Sequence, residues 1–230
     1  MRRRSIPDGT EWQTRIWGNI PGLNTFALPM VETVGEYGIP QLQPCPLVPD
    51  KLFPWEERSK YPVNGGAIHF YCEDVYLSSP WNKAPRLDHV PEVVKRAGVC
   101  LTPDYSIFVD YPKAVNIWNV YRARLLGALW QHQGIQVIPS LMWGEILTQG
   151  DFLFEGLPAG GTFAISTGHS QGDEALFQEF YTEALKRCQP DNMLVYGQGL
   201  KPWLEEQGCP VKRYAHRRDK ISAKRKAAKG

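Results

Sequence analysis

The 230-residue chain predicts an α/β protein: a mostly parallel sheet, open or rolled into a partial barrel, flanked by helices. Three features carry that expectation. Short apolar runs of strand character alternate with amphipathic helical stretches. The links between them are brief and punctuated by Gly and Pro. A Pro-rich extended segment precedes the alternation, and a basic tail follows it.

Residues 1–62 hold nine of the 19 prolines. Proline removes an amide donor and biases its predecessor away from helix. The segment also keeps Trp12, Trp17, Phe26, Leu28, Phe53 and Trp55, so we expect it to lie extended on the body with these side chains inserted. The α/β domain is expected over residues 63–214 and the tail over 215–230. A first strand is read at 67–72 and a short helix at 91–97, with Pro91 at its start and Gly98 just after it. A second strand follows at 99–102. The longest helix, 113–133, repeats Ile117, Trp118, Tyr121, Leu125, Ala128 and Leu129 at helical spacing between Pro112 and Gly134. Strands at 135–142, 162–166, 192–196 and 210–214 alternate with helices at 173–187 and 202–207.

Lys and Arg total 26 and Asp and Glu 24, but the charges are segregated. Arg2, Arg3 and Arg4 open the chain. Lys212, Arg213, Arg217, Arg218, Lys220, Lys224, Arg225, Lys226 and Lys229 close it against one acid, Asp219. That leaves 14 basic and 23 acidic side chains over residues 5–211, a net charge of −9. Basic termini of this kind suit the phosphate backbone of DNA or RNA, whereas the acidic body argues against a broad nucleic-acid face. No run approaches the length of a membrane helix and no apolar stretch follows the N-terminal arginines, so we expect a cytoplasmic protein without a membrane partner. Cys45, Cys72, Cys100, Cys188 and Cys209 are odd in number and widely spaced, as befits reduced thiols rather than a disulfide frame or zinc site.

In parallel sheets ligands bind beyond the carboxyl ends of the strands. That rule selects Asp104 and Ser106, then Ser140, Trp143 and Glu145, then Ser166, Thr167 and His169, then Tyr196 and Gln198. Asp104, Ser140, Trp143, Ser166, Thr167, His169 and Tyr196 are the candidate ligand-binding residues, with Asp104 and Glu145 as candidate acid–base catalysts. Gly168-His-Ser-Gln-Gly172 matches the G-x-S-x-G nucleophile elbow and sits between a strand and a helix. It makes Ser170 a candidate nucleophile with Asp191 and His216 downstream. Asp191 precedes a strand, however, and belongs to the opposite edge, and a helix-entry turn is the competing reading. His69, inside an apolar run, reads as a core histidine, and Arg122 and Arg124 as lying on the solvated side of their helix or pairing with a carboxylate. Neither metal nor nucleotide spacing is present, and no cofactor is expected.

Thr102-Pro-Asp-Tyr-Ser, Asn119-Val-Tyr-Arg-Ala-Arg, Gly134-Ile-Gln-Val-Ile-Pro with Trp143-Gly, and Val195-Tyr-Gly resemble the domain-of-unknown-function family 4417 of phages and mobile elements. The resemblance spans residues 99 to 200 and implies a mobile-element setting. The expected function is therefore an accessory protein that associates with nucleic acid through its termini and holds a polar ligand or partner at the sheet's carboxyl edge. A hydrolase using Ser170, an acid–base enzyme using Asp104 or Glu145, and a non-catalytic protein-interaction module are the alternatives.

Overall fold

A computed structural model describes residues 22–58, 65–83, 91–168 and 173–216. A small antiparallel hairpin, β1 (Thr33–Val34) and β2 (Ile39–Pro40), comes first. Four parallel strands follow in spatial order: β3 (Lys51–Pro54), β4 (Gly66–His69), β5 (Val99–Leu101) and β6 (Gln136–Ile138). Three more, β7 (Thr162–Ser166), β8 (Asn192–Tyr196) and β9 (Val211–Tyr214), form a second parallel sheet.

The two sheets are continuous. Beyond the end of β6, Ser140 bridges in parallel to Ala164, with Leu141 N–H donating to Ala164 O at 2.8 Å and Ala164 N–H to Pro139 O at 2.9 Å. At the far side, the Tyr214 hydroxyl donates to Pro49 O, and Lys212 Nζ lies 3.1 Å from Asp50 Oδ1. The last strand thus returns to the entrance of the first. No ladder joins β9 to β3 among the described residues, so the barrel is partial.

Side chains alternate between the two faces with period two. Leu52, Ala67, Leu101, Ile138, Ala164, Leu194 and Tyr214, one from each strand, form a single inner cluster. Ile68, Cys100, Val137, Phe163, Ile165, Met193 and Val195 point outward into the larger core beneath the helices. Burial on both faces explains why these strands read as unbroken apolar runs.

The helices are α1 (Asp74–Lys83), α2 (Glu92–Ala97), α3 (Lys113–His132), α4 (Ile146–Gln149), α5 (Glu174–Cys188) and α6 (Lys201–Glu205). Gly98, at φ 69°, ends α2 in the left-handed conformation that glycine adopts most cheaply. Gly127 lets α3 sit tightly on the barrel: a Cβ there would lie 2.7 Å from Thr102 Cγ2 and 2.8 Å from Leu42 Cδ2. Besides the hairpin and α4, two elements differ from the sequence reading in ways that shape the barrel. Residues 51–54, inside the Pro-rich segment, join the barrel as an edge strand, where Pro54 is tolerated. Helix α1 went unread because Ser78, Ser79 and Pro80 break its apolar pattern.

Candidate functional site

Seven parallel strands put seven carboxyl ends on one side, and the polar residues of the fold gather there. His69 ends β4 facing inward, and Tyr71 follows two residues later on the same face. The Tyr71 and Tyr196 rings stack at 5.3 Å, with 17° between their planes. His69 lies 4.4 Å from the Tyr196 ring and 5.6 Å from that of Tyr71. His216, two residues past Tyr214, closes the cluster at 5.0 Å from Tyr196. His69 Nδ1 accepts the Tyr71 N–H at 3.3 Å, which leaves Nε2 as its donor in the neutral ring.

Asp104 enters from the end of β5. It is partly exposed as a residue, but protein crowds its carboxyl group. Burial, reinforced by the neighbouring charge of Asp74 and opposed by Arg124, pushes its pKa up to about 7. Asp104 makes no hydrogen bond or ion pair among the described residues. Asp74, by contrast, accepts from Ser106 N–H at 3.2 Å and from Ser106 Oγ at 3.0 Å. The Tyr71 hydroxyl is held far above its usual pKa by burial and by Asp104, so it stays a neutral donor. Ser140 Oγ, its neighbour, donates its own proton to Thr102 O at 3.1 Å, and the buried Tyr71 Oη has no hydrogen bond of ordinary geometry.

Arg124 is fully buried, contrary to the solvated placement read from the sequence. Its guanidinium donates to Ser140 O at 3.3 Å and Leu153 O at 3.4 Å, tying α3 to the end of β6. Burial lowers its pKa to about 10. Arg122 is half-buried, stacked 3.8 Å over the Tyr105 ring and bonded to Asn119 Oδ1. The Cys72 thiol is pushed up to about 12 by burial and by the charges of Glu56, Asp104 and Asp74, and is inert as a nucleophile.

The strand-end residues named from the sequence separate into groups. Ser140 and Tyr196 lie against Tyr71 in the mouth, and the charge of Asp104 is felt at the Tyr71 hydroxyl. Ser166 Oγ accepts the Gly168 N–H at 3.2 Å, and a Cβ at Gly168 would lie 3.4 Å from that oxygen and 3.7 Å from His216 Nε2, so Ser166 and His216 flank this turn. Thr167 is buried and extends the β7–β8 ladder through its N–H to Tyr196 O. Trp143 turns to the outer side, packing edge-on against Phe177 of α5 at 5.4 Å. Glu145 precedes α4. His169 and Ser170 lie outside the described residues, as do Arg2, Arg3, Arg4, Arg217, Arg218, Lys220, Lys224, Arg225 and Lys226. Asp191 accepts the Gly161 N–H at 2.7 Å, on the amino side of the barrel and away from Gly168. Lys212 pairs with Asp50, and Arg213 donates to the carbonyls of Gly197, Gly199 and Lys201.

Sequence reasoning passed over Tyr71, read His69 as a core histidine, which it is at 1% exposure, and weighed His216 only as a partner for Ser170. The signal was there: His69, Tyr71 and His216 each lie two residues beyond an inward strand position, Ala67, His69 and Tyr214 respectively. Among the described residues, no group of His, Cys, Asp or Glu is arranged to hold a metal ion, and no helix is long and apolar enough to cross a membrane. A shallow groove of about 700 Å³ outside α5 and α6, lined by Glu183, Arg187 and Trp203, holds no buried titratable group. Its principal charges, Glu183 and Arg187, pair with each other.

The fold and mouth define a partial parallel α/β barrel with its convergent polar groups at the carboxyl ends of the strands. The chain belongs to the Domain of unknown function (DUF4417) family, whose model matches residues 31–214. It is 40% identical over 190 residues to the Gene 1 protein of Mycobacterium phage L5, a match covering 79% of this chain and 81% of that protein. It is 42% identical over 167 residues to the Gene 1 protein of Mycobacterium phage D29, covering 70% of this chain and 60% of that one. No solved structure matches the chain.

Proposed function

We propose that this phage-associated protein binds a small polar ligand in the carboxyl mouth of its barrel, with Asp104 exchanging a proton with that ligand. One observation carries the reading: Asp104, Tyr71, Tyr196, His69 and His216 converge there from four strands, while the Tyr71 hydroxyl makes no hydrogen bond of ordinary geometry and the Asp104 carboxylate has no protein partner. Buried polar groups are normally satisfied, and ones left open at the mouth of a parallel barrel suit an external partner. A carboxyl group titrating near neutrality accepts and returns a proton with little driving-force penalty. Screening a library of small metabolites against the protein by side-chain NMR tests the proposal. Hits that perturb Tyr71 and Tyr196 together, and that vanish in Asp104→Asn, support it; hits confined to other surfaces refute it.

A second reading, association with DNA or RNA through the basic ends, is favoured by the charge segregation. Lys212 and Arg213 are engaged within the body, so the phosphate contacts would fall to the arginines and lysines beyond His216 and to Arg2–Arg4. Deleting residues 217–230 preserves His216 and isolates the tail. The deletion is expected to weaken duplex binding at low salt and to flatten the log–log salt slope by about 0.9 per lost phosphate contact. Equal binding across a salt titration would exclude the tail.

A further inference from the structure

Ten large apolar side chains are exposed among the described residues, and six of them sit on two connections at the carboxyl side of the barrel. Val75 and Tyr76, 68% and 48% exposed, lie in the first turn of α1. Phe108, Val109, Tyr111 and Val115 belong to the run 108–115 between β5 and α3, every residue of which is exposed. The two connections are fastened side by side. Ser106 donates to Asp74 from both its N–H and its Oγ, and the Tyr105 hydroxyl donates to Leu77 O at 3.2 Å. Asn116 bonds both backbone groups of Phe108, whose ring lies 4.5 Å from that of Tyr111. The exposure is thus built into the fold, and a contiguous apolar face of this kind marks a contact surface.

The chain supplies an occupant for it. The Gly22 carbonyl, where the described residues begin, accepts the Trp81 indole N–H at 2.8 Å, and Asn24 Nδ2 donates to Trp81 O at 2.9 Å. Trp81 belongs to α1 and packs edge-on against Trp118 of α3. Residues 1–21 are therefore delivered to the helix that carries Val75 and Tyr76, which stand at most about 9 Å along its axis from Trp81. Those residues include Trp12, Ile16, Trp17 and Ile20, apolar side chains that need cover in their turn. At about 3.3 Å per residue, the stretch from Trp12 to Gly22 reaches about 33 Å, more than the face requires. The stretch after Gly22 already inserts such side chains, with Ala27, Ile39 and Trp55 buried in the main core. We propose that residues 12–20 dock on this face, the Trp12 and Trp17 indoles covering Val75, Tyr76 and the 108–115 run. The tether favours this segment over a second copy of the chain, because a linked segment meets the face at an effective concentration of about millimolar. Docking braces the connections after β4 and β5, on which Tyr71 and Asp104 stand, and it requires no ligand in the mouth.

The test uses the full chain with valine methyls and tryptophan indoles labelled for NMR. Nuclear Overhauser contacts are expected from the Trp12 or Trp17 indole to the methyls of Val75, Val109 or Val115. The double substitution Trp12→Ser, Trp17→Ser should erase those contacts and speed amide hydrogen exchange over 106–116 by about tenfold or more, while exchange in β7 and β8 stays as in the parent. Val75→Asp with Val109→Asp alters two exposed positions, where substitution ordinarily leaves a fold intact, and should open both indoles to acrylamide quenching. Indoles that are fully quenched in the parent and make no contact with these valines would overturn the proposal. Contacts found only between differently labelled molecules in a mixed sample would also overturn it, by assigning the face to a second copy.

Discussion

The raised pKa of Asp104 is a cost to stability. Its folded pKa, about 7, lies above the unfolded value of about 3.9. Between those values the folded chain holds a proton that the unfolded chain releases, so stability falls as pH rises from about 4 to 7. Asp104→Asn removes that cost, and thermal melts should show the variant gaining on the parent by roughly 2–4 kcal/mol at pH 8 and almost nothing at pH 4. A gain that is equal at both pH values would mean the carboxyl titrates normally. Tyr71 makes a related prediction. Deleting a buried hydroxyl that makes no hydrogen bond of ordinary geometry forfeits none, so Tyr71→Phe should melt no lower than the parent. A loss of several degrees would show that the hydroxyl is bonded within the fold. Neither property was legible in the sequence. Asp104 was visible as a strand-end residue, but its environment depends on Asp74, 30 positions away, and on a helix whose arginine was read as solvated.

At the scale of elements, strands and helices whose signals were local were read to within a few residues: β7 and β8 at 162–166 and 192–196, and α3 at 113–132. What the sequence concealed was set by tertiary contact. The β3 strand carries Pro54 and sits among prolines, and only its pairing with β4 makes it a strand. Arg124 interrupts the apolar face of α3 because two carbonyls, of Ser140 and Leu153, require a donor there. The seating of α3 depends on Gly127, against which Thr102 and Leu42 pack from the barrel and the N-terminal segment. Gly127→Val would force those side chains aside, and overpacking of this kind costs about 1–3 kcal/mol. Urea denaturation should show a lower midpoint with an unchanged slope. An unshifted midpoint would mean that α3 is held less closely than these contacts require.

For the whole molecule, the order of elements announced a parallel sheet, while its curvature was invisible to periodicity. Closure rests on the Ser140–Ala164 bridge and on the contacts from Tyr214 and Lys212 back to Pro49 and Asp50. Curling brings β4 against β8, so that Tyr71 stacks on Tyr196 across 125 residues of sequence. A flat sheet in the order of these strands would hold the two rings apart, which is why the mouth was legible only as a row of strand ends. The same curvature sets Asp104 beside an aromatic cluster in a body of net charge −9.

The carboxyl carbon of Asp104, followed by ¹³C NMR in the full-length protein from pH 3 to pH 10, tests the central claim most directly. A midpoint near 7 is the predicted result. A midpoint near the ordinary aspartate value of about 3.9 would contradict it.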